Sequence, residues 1–277
     1  PSGQGHETSF AQVAADLLGL PIETVTIVIG DTDIVSAGGG SHSGRSMRHA
    51  ATVMTLAAAD LIAKGKVIAA QVLDVRPQDV AWSSGRFSSP GSNVTFNVIE
   101  LAREAEARGL PKLVVRTDSE MHDPVFPNGC AVCEVEVDPQ TGWVDITRYA
   151  AVDDVGRCIN PLIVHGQTHG GIAQGVGQAL WELCHIDPSS GQPLMGSLMD
   201  YGMPRTDNLP SFATEIVEVL SPTNPLGIKA GGEGGTTPAL SAVINAILDA
   251  LWPLGVRDIE MPATPHKVWA AIQAAKR

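Results

Sequence analysis

Cys130-Ala131-Val132-Cys133-Glu134-Val135-Glu136-Val137-Asp138-Pro139-Gln140-Thr141-Gly142-Trp143-Val144-Asp145-Ile146 decides the fold class, because its apolar and polar residues alternate with the period of a strand. Ala131, Cys133, Val135 and Val137 fall on one face, and Asp138-Pro139-Gln140-Thr141-Gly142 has the composition of a hairpin turn. The pattern predicts strands over 130–137 and 143–152. Cys130 and Cys133 have C-x-x-C spacing, but Cys158 and Cys184 form no second pair at a zinc-ribbon distance, and no plant-type iron–sulfur run occurs. Their thiols are therefore expected to be buried in the strand.

Toward the carboxy terminus, residues 164–183 read as a helix despite their glycines, and 212–220 as a strand. Residues 240–251 read as an amphipathic helix with Leu240, Val243, Ile244, Ile247, Leu248 and Leu251 on one face, and 266–275 as a last helix. Toward the amino terminus the pattern predicts a helix over 8–18, a strand over 24–29, a turn at 30–33 and a glycine and serine loop over 36–46. A helix over 50–67, strands at 80–82 and 113–117, and a helix over 97–107 follow. Strands and helices mix without strict alternation, which argues for an α+β fold of mixed sheets and packed helices. Residues 187–208, rich in Pro, Gly and Ser, could join two lobes within one region spanning 1–277.

The 277 residues, 44% of them hydrophobic, are enough to bury a sizeable core. A net charge of −12 leaves no basic stripe for phosphate backbones, so nucleic acid is excluded as a partner. No uninterrupted apolar run reaches the roughly 18 residues of a membrane span, and PSGQGHETS lacks the features of a secretory signal. The expectation is a soluble cytoplasmic protein, with the periplasm as the alternative. Starting at Pro1 without a methionine, the chain reads as a processed product, a split subunit or a fragment.

Three segments place glycines and small hydroxyl residues just before a helix, where unpaired amides attract anions. They are Gly3-Gln4-Gly5-His6-Glu7-Thr8, Gly38-Gly39-Gly40-Ser41-His42-Ser43-Gly44-Arg45-Ser46 and Gly231-Gly232-Glu233-Gly234-Gly235-Thr236-Thr237-Pro238. One such turn is ordinary punctuation; three together suggest a large phosphate-bearing ligand. None fits a nucleotide fingerprint. Gln4 and Gln174 could offer amides to a heterocycle, although Gln174 could equally be a polar residue at a helix contact. Glu233, flanked by paired glycines, is a candidate base, with the helix start and Lys229 lowering its pKa and burial raising it. A charge that merely favours the helix dipole is the competing reading. His6, His42, His165 and His169 form no metal-ligand pattern and read as hydrogen-bonding residues.

The motifs GQGHET, GDTD, GGGSHSGRS, VDDVGRCINP, VHGQTHGGIAQGVGQALWE, GSLMDYGMPR, KAGGEGGTTPA and VRDIEMPATPHKVW run from Gly3 to Trp269. In this order they resemble the carboxy-terminal half of the large subunit of molybdenum hydroxylases, the xanthine dehydrogenase and aldehyde oxidase family, especially its carbon monoxide dehydrogenase-like bacterial branch. The resemblance implies a molybdenum ion held by the dithiolene of a pyranopterin, in its cytosine dinucleotide form, and by no protein side chain. It assigns Gly3, Gln4, Gly5, Ser41, His42, Ser43, Gly44, Arg45, Ser46 and Gln174 to the cofactor, though family members vary at His42. Glu233 becomes the base that deprotonates a hydroxyl on molybdenum during oxidation of an aldehyde or N-heterocycle, with water as oxygen source. Carbon monoxide is disfavoured, because the loop that marks its oxidation lies in the amino-terminal half. Implied partners are that half, an iron–sulfur subunit and a subunit carrying FAD; this chain alone is expected to be inactive. The alternative is a non-catalytic cofactor-binding or scaffold subunit.

Overall fold

A computed structural model describes residues 3–35 and 38–276; Pro1 and Ser36, where the chain and the glycine loop begin, lie outside the described residues. The chain divides into two compact units, residues 1–125 with 220–228 and residues 126–219 with 229–277. Residues 187–208 fall within the second.

In the first unit, α1 (His6–Leu18) buries Phe10, Val13 and Ala15 and ends at Gly19, whose positive φ of 61° lets its N–H reach the Ala15 carbonyl. The long α2 (Arg45–Leu73) overruns the expected 50–67 at both ends and, as expected, continues through Gly65. A Cβ there would lie 2.3 Å from the Phe87 ring, so this mid-helix glycine makes room for an aromatic. Strands β1 (Ala81–Ser83) and β2 (Arg86–Ser88) pair antiparallel across Ser84 and Gly85, both at positive φ, as a two-residue hairpin requires. Only the first was expected from the sequence. Helix α3 (Val98–Ala107) starts at a capping box: the Asn97 side chain accepts from the Glu100 amide, and Glu100 accepts from the Asn97 amide. Ile68, Ala69, Val80, Phe87 and Leu101 form the core.

Two expected strands are absent. Residues 24–29 and 113–117 belong to no strand, which corrects the pattern-based reading. Lys64 of α2 donates to the Val114 carbonyl and the Thr117 hydroxyl to Asp60, so side chains of a helix hold 113–117 where a neighbouring strand was expected. Alternation reports a face, and pairing also needs a partner strand.

In the second unit, β3 (Asn128–Val137) and β4 (Val144–Asp154) form the hairpin read from the sequence, with an irregular register between Glu134 and Val135. The Gly142 amide closes the turn on the Asp138 carbonyl at 2.8 Å, and Thr141 donates to the Asp138 carboxylate. Ala131, Cys133, Val135 and Val137 face the core as expected. Burial pushes the Cys133 thiol up to about 11, which suits an inert packing residue. Cys130, expected to be buried, is exposed, because it lies on the opposite face of the strand.

Helix α4 (Pro161–Leu180) leads from β4 to β5 (Phe212–Val217), which pairs parallel to β4 and gives a mixed sheet of order β3-β4-β5. Asn160 caps α4 by accepting from the Ile163 amide, and Pro161 fills the first helical position. The helix stops at Leu180, three residues earlier than expected. Helices α5 (Thr236–Leu251) and α6 (Pro265–Ala275) complete the unit. The core joins Ile146 and Tyr149 of the sheet to Ile172, Val176 and Leu180 of α4, Val243 and Ile247 of α5, and Val268 and Ile272 of α6. Residues 236–254 are long and apolar enough by composition to cross a membrane; here their apolar face, with Ala239, Val243, Ile247 and Leu251, lies in this core.

Candidate cofactor site and active site

In the first unit two helix starts are brought together. Gly5 before α1 and Gly44 before α2 both adopt left-handed backbone, at φ 67° and 63°, and neither helix receives a side-chain cap. The Arg45 amide closes on the His42 carbonyl at 3.1 Å; the other first-turn amides take no side-chain cap and stand at the positive ends of two helix dipoles. His6 Nε2 and Ser41 Oγ share a hydrogen bond of 3.0 Å, and Ser41 Oγ a second with Ser46 Oγ at 2.7 Å. The first bond ties GQGHET to the glycine and serine loop across 35 residues, a contact that no local pattern encodes, and the second lies within the loop. His6 stacks on Phe10, and burial lowers its pKa, so the imidazole is neutral at neutral pH.

The loop itself is shaped by its own side chains. His42 bonds the Gly39 carbonyl at 3.0 Å and Ser43 Oγ at 3.2 Å, while Arg45 Nη1 donates to the Gly39 carbonyl. Thus the His42 ring, assigned to the cofactor by resemblance, makes its hydrogen bonds within the loop. Gly3, at φ 103°, and Gly38 have no atom of the described residues within 4 Å of where a Cβ would stand, which leaves their backbones open on that side to close approach by a ligand. Amides, hydroxyls and one guanidinium make a donor set suited to phosphate oxygens. Gln4 is half-buried beside them.

In the second unit, Glu233 stands in the turn before α5. Its carbonyl accepts from the Thr237 amide at 3.2 Å; its side chain is exposed and has no hydrogen bond or ion pair with the described residues. Packing fixes the backbone beneath it. A Cβ at Gly235 would be 2.3 Å from the Thr168 carbonyl oxygen, one at Gly171 2.9 Å from the Thr236 nitrogen, and one at Gly175 2.6 Å from Ala239 Cβ. The glycines of α4 thus let the start of α5 lie directly against its backbone. Gln174 is exposed on α4 next to Gly175. His165 Nδ1 and His169 Nε2 both bond the Thr214 hydroxyl, at 2.8 and 3.0 Å, which agrees with hydrogen-bonding rather than metal-binding roles.

Lys229 requires a correction. Its ammonium was expected to lower the pKa of Glu233; it is instead paired with Asp154, in a setting where the two side chains are only 11% and 8% exposed. Burial pushes the Asp154 carboxyl up, but Lys229 and the amides of Gly156 and Val219 outweigh it and hold the carboxyl below its usual range. A buried ammonium with a carboxylate at contact distance has little field left for a third, exposed group. Asp153, Asp154 and Thr168 lie in the motifs VDDVGRCINP and VHGQTHGGIAQGVGQALWE, but the sequence assigned them no role. Thr168 donates to Asp153 at 3.1 Å, and Asp153 lies against Gly234. The available signal was the acidic pair at the end of a strand.

Residues 1–210 match the family described as molybdopterin cofactor-binding domain. The carbon monoxide dehydrogenase large chain of Hydrogenophaga pseudoflava is 33% identical over 276 residues, covering 98% of this chain and 34% of that protein. The nicotine 6-hydroxylase large subunit of Paenarthrobacter nicotinovorans is 35% identical over 274 residues, with 96% and 34% covered. The crystal structure of the Cu,Mo-CO dehydrogenase in its carbon monoxide reduced state superposes with a TM-score of 0.85 at 31% identity, over 100% of this chain and 35% of that one. The chain spans about a third of the length of the curated relatives it matches. By fold and by sequence over nearly its whole length, the chain belongs to the molybdopterin cofactor-binding family of the molybdenum hydroxylases.

Proposed function

We propose that this chain forms part of a hydroxylase that oxidises an aldehyde or an electron-poor N-heterocycle with oxygen from water, with Glu233 as its base. The observation that carries this reading is the unpartnered carboxylate of Glu233, held out from a turn that is rigid because glycine packing fixes it. Such a group accepts a proton without first breaking a contact. The molybdenum-pyranopterin group, in its cytosine dinucleotide form, supplies the two-electron redox chemistry when bound. The amides at the starts of α1 and α2, with Ser41, Ser43, Ser46 and Arg45, would hold its phosphates, and Gln4 and Gln174 would offer amides to its polar edges. Glu233 Oε takes the proton of the water-derived nucleophile and returns it to solvent. Iron–sulfur clusters and FAD on partner chains would supply the electron acceptors, and the amino-terminal part of the large subunit would complete the substrate pocket.

Turnover of the native complex in oxygen-18 water tests the reaction class: product from an aldehyde or N-heterocycle should carry the label. Unlabelled product, or no turnover of either class by molybdenum-loaded protein, would exclude the hydroxylase and favour the scaffold alternative.

The cofactor assignment makes a separate prediction. Gly44→Val puts a β-branched residue at φ 63° and a side chain at the start of α2, so bound molybdenum and nucleotide per chain should fall several-fold while far-UV circular dichroism is unchanged. Wild-type cofactor content in this variant would show that the loop faces elsewhere.

A further inference from the structure

The turn that carries Glu233 is an arch of five residues, 230–234, anchored at both feet. At the carboxy-terminal foot, Gly235 and Thr236 lie against α4 at Gly171 and Thr168. At the amino-terminal foot, Lys229 is fixed twice: its amide donates to the Val155 carbonyl at 2.8 Å, and its ammonium pairs with Asp154. Asp154 is itself immobilised, since Oδ1 accepts from the amides of Gly156 and Val219 at 2.9 and 3.1 Å, and Oδ2 accepts from Asn128 at 3.4 Å as well as from Lys229. The carboxylate therefore gathers the ends of β3, β4 and β5 onto one point, and Lys229 connects that point to the arch. Between its feet the arch contains three glycines, one alanine and Glu233, a sequence with almost no rigidity of its own.

We propose that Asp154 and Lys229 are positioning residues for Glu233: the buried pair determines where the arch starts, and so where the carboxylate stands. This inference rests on the reading of Glu233 as the base. An ion pair so deeply buried gains little net stability over an apolar pair of similar shape, because desolvation offsets the attraction. Its value lies in geometry. A carboxylate and an ammonium with fixed partners allow one arrangement, whereas two apolar side chains would permit several.

The test uses the native complex. Lys229→Met alone leaves a charged Asp154 buried without its counter-charge and should lower stability whatever the role of the pair, so the informative variant is Asp154→Asn with Lys229→Met. Asparagine Oδ1 still accepts from the Gly156 and Val219 amides, and no buried charge remains unpaired. This double variant should retain its cofactor and thermal midpoint. Amide hydrogen exchange in 230–236 should accelerate by about tenfold, as expected when local opening becomes easier. Its kcat should fall by about 10–100-fold with KM unchanged, because a displacement on the order of 1 Å at a reacting group suffices for such a loss. Unchanged exchange overturns the proposal, and so does faster exchange with wild-type kcat in an enzyme that Glu233→Gln inactivates. Should Glu233→Gln leave turnover intact, the base reading fails by itself; faster exchange in the double variant would then still support the clamp on the arch.

Discussion

Replacing Glu233 by Gln should lower turnover by about 10²–10⁴-fold, the contribution typical of a positioned general base, with molybdenum and pterin content unchanged. Glutamine has the size of glutamate and keeps hydrogen-bonding capacity, but its amide does not accept a proton near neutral pH. Since the Glu233 side chain bonds none of the described residues, the substitution breaks no internal contact. Its effect on stability should stay within about 0.5 kcal/mol, as for other exposed positions. A loss of rate can then be assigned to chemistry, provided the rate of reduction by substrate is normalised to bound molybdenum. Equal normalised rates for variant and wild type, with an aldehyde and with an N-heterocycle, would remove Glu233 from the mechanism and favour the non-catalytic alternative.

The largest effect on folding is expected at Gly235. Alanine there would place its Cβ 2.3 Å from the Thr168 carbonyl oxygen, 2.9 Å from the Ile172 nitrogen and 3.1 Å from Gly171 Cα. All three are backbone atoms of a helix, so no side-chain rotation relieves the clash. The start of α5 would have to withdraw from α4, opening the core that Ile172 and Val176 share with Ala239 and Val243. Overpacking of this kind costs about 1–3 kcal/mol and occasionally more. The φ of −76° at Gly235 is ordinary for alanine, so the penalty is purely steric. Gly232→Ala is the control, because nothing lies within 4 Å of its Cβ position and its φ is outside the left-handed region. Urea unfolding followed by circular dichroism should move the midpoint down for Gly235→Ala and leave it nearly unchanged for Gly232→Ala. Equal midpoints would mean that α4 and α5 do not approach as closely as described.

Much of this was legible in the sequence where the signal is local. The hairpin of β3 and β4 followed from alternation and a five-residue turn, and α1, α3, α5 and α6 from apolar spacing and from caps such as Asn97. The glycine turns were visible as helix starts, because the missing amide partners of a helix N-terminus are a property of the chain itself. Local signals failed where a distant partner decides. Residues 24–29 and 113–117 have the composition of strands but find no strand to pair with among the described residues. The charge on Lys229 was evident, but its recipient was not: Asp154 is 75 residues away, and only the packing of β4 against the arch chose it over Glu233. The sequence by itself determined which backbones can turn, cap and alternate, since those preferences are set within a few residues. Tertiary structure alone decided which charges meet and which glycines are contacts, because burial and close approach belong to elements that lie far apart along the chain.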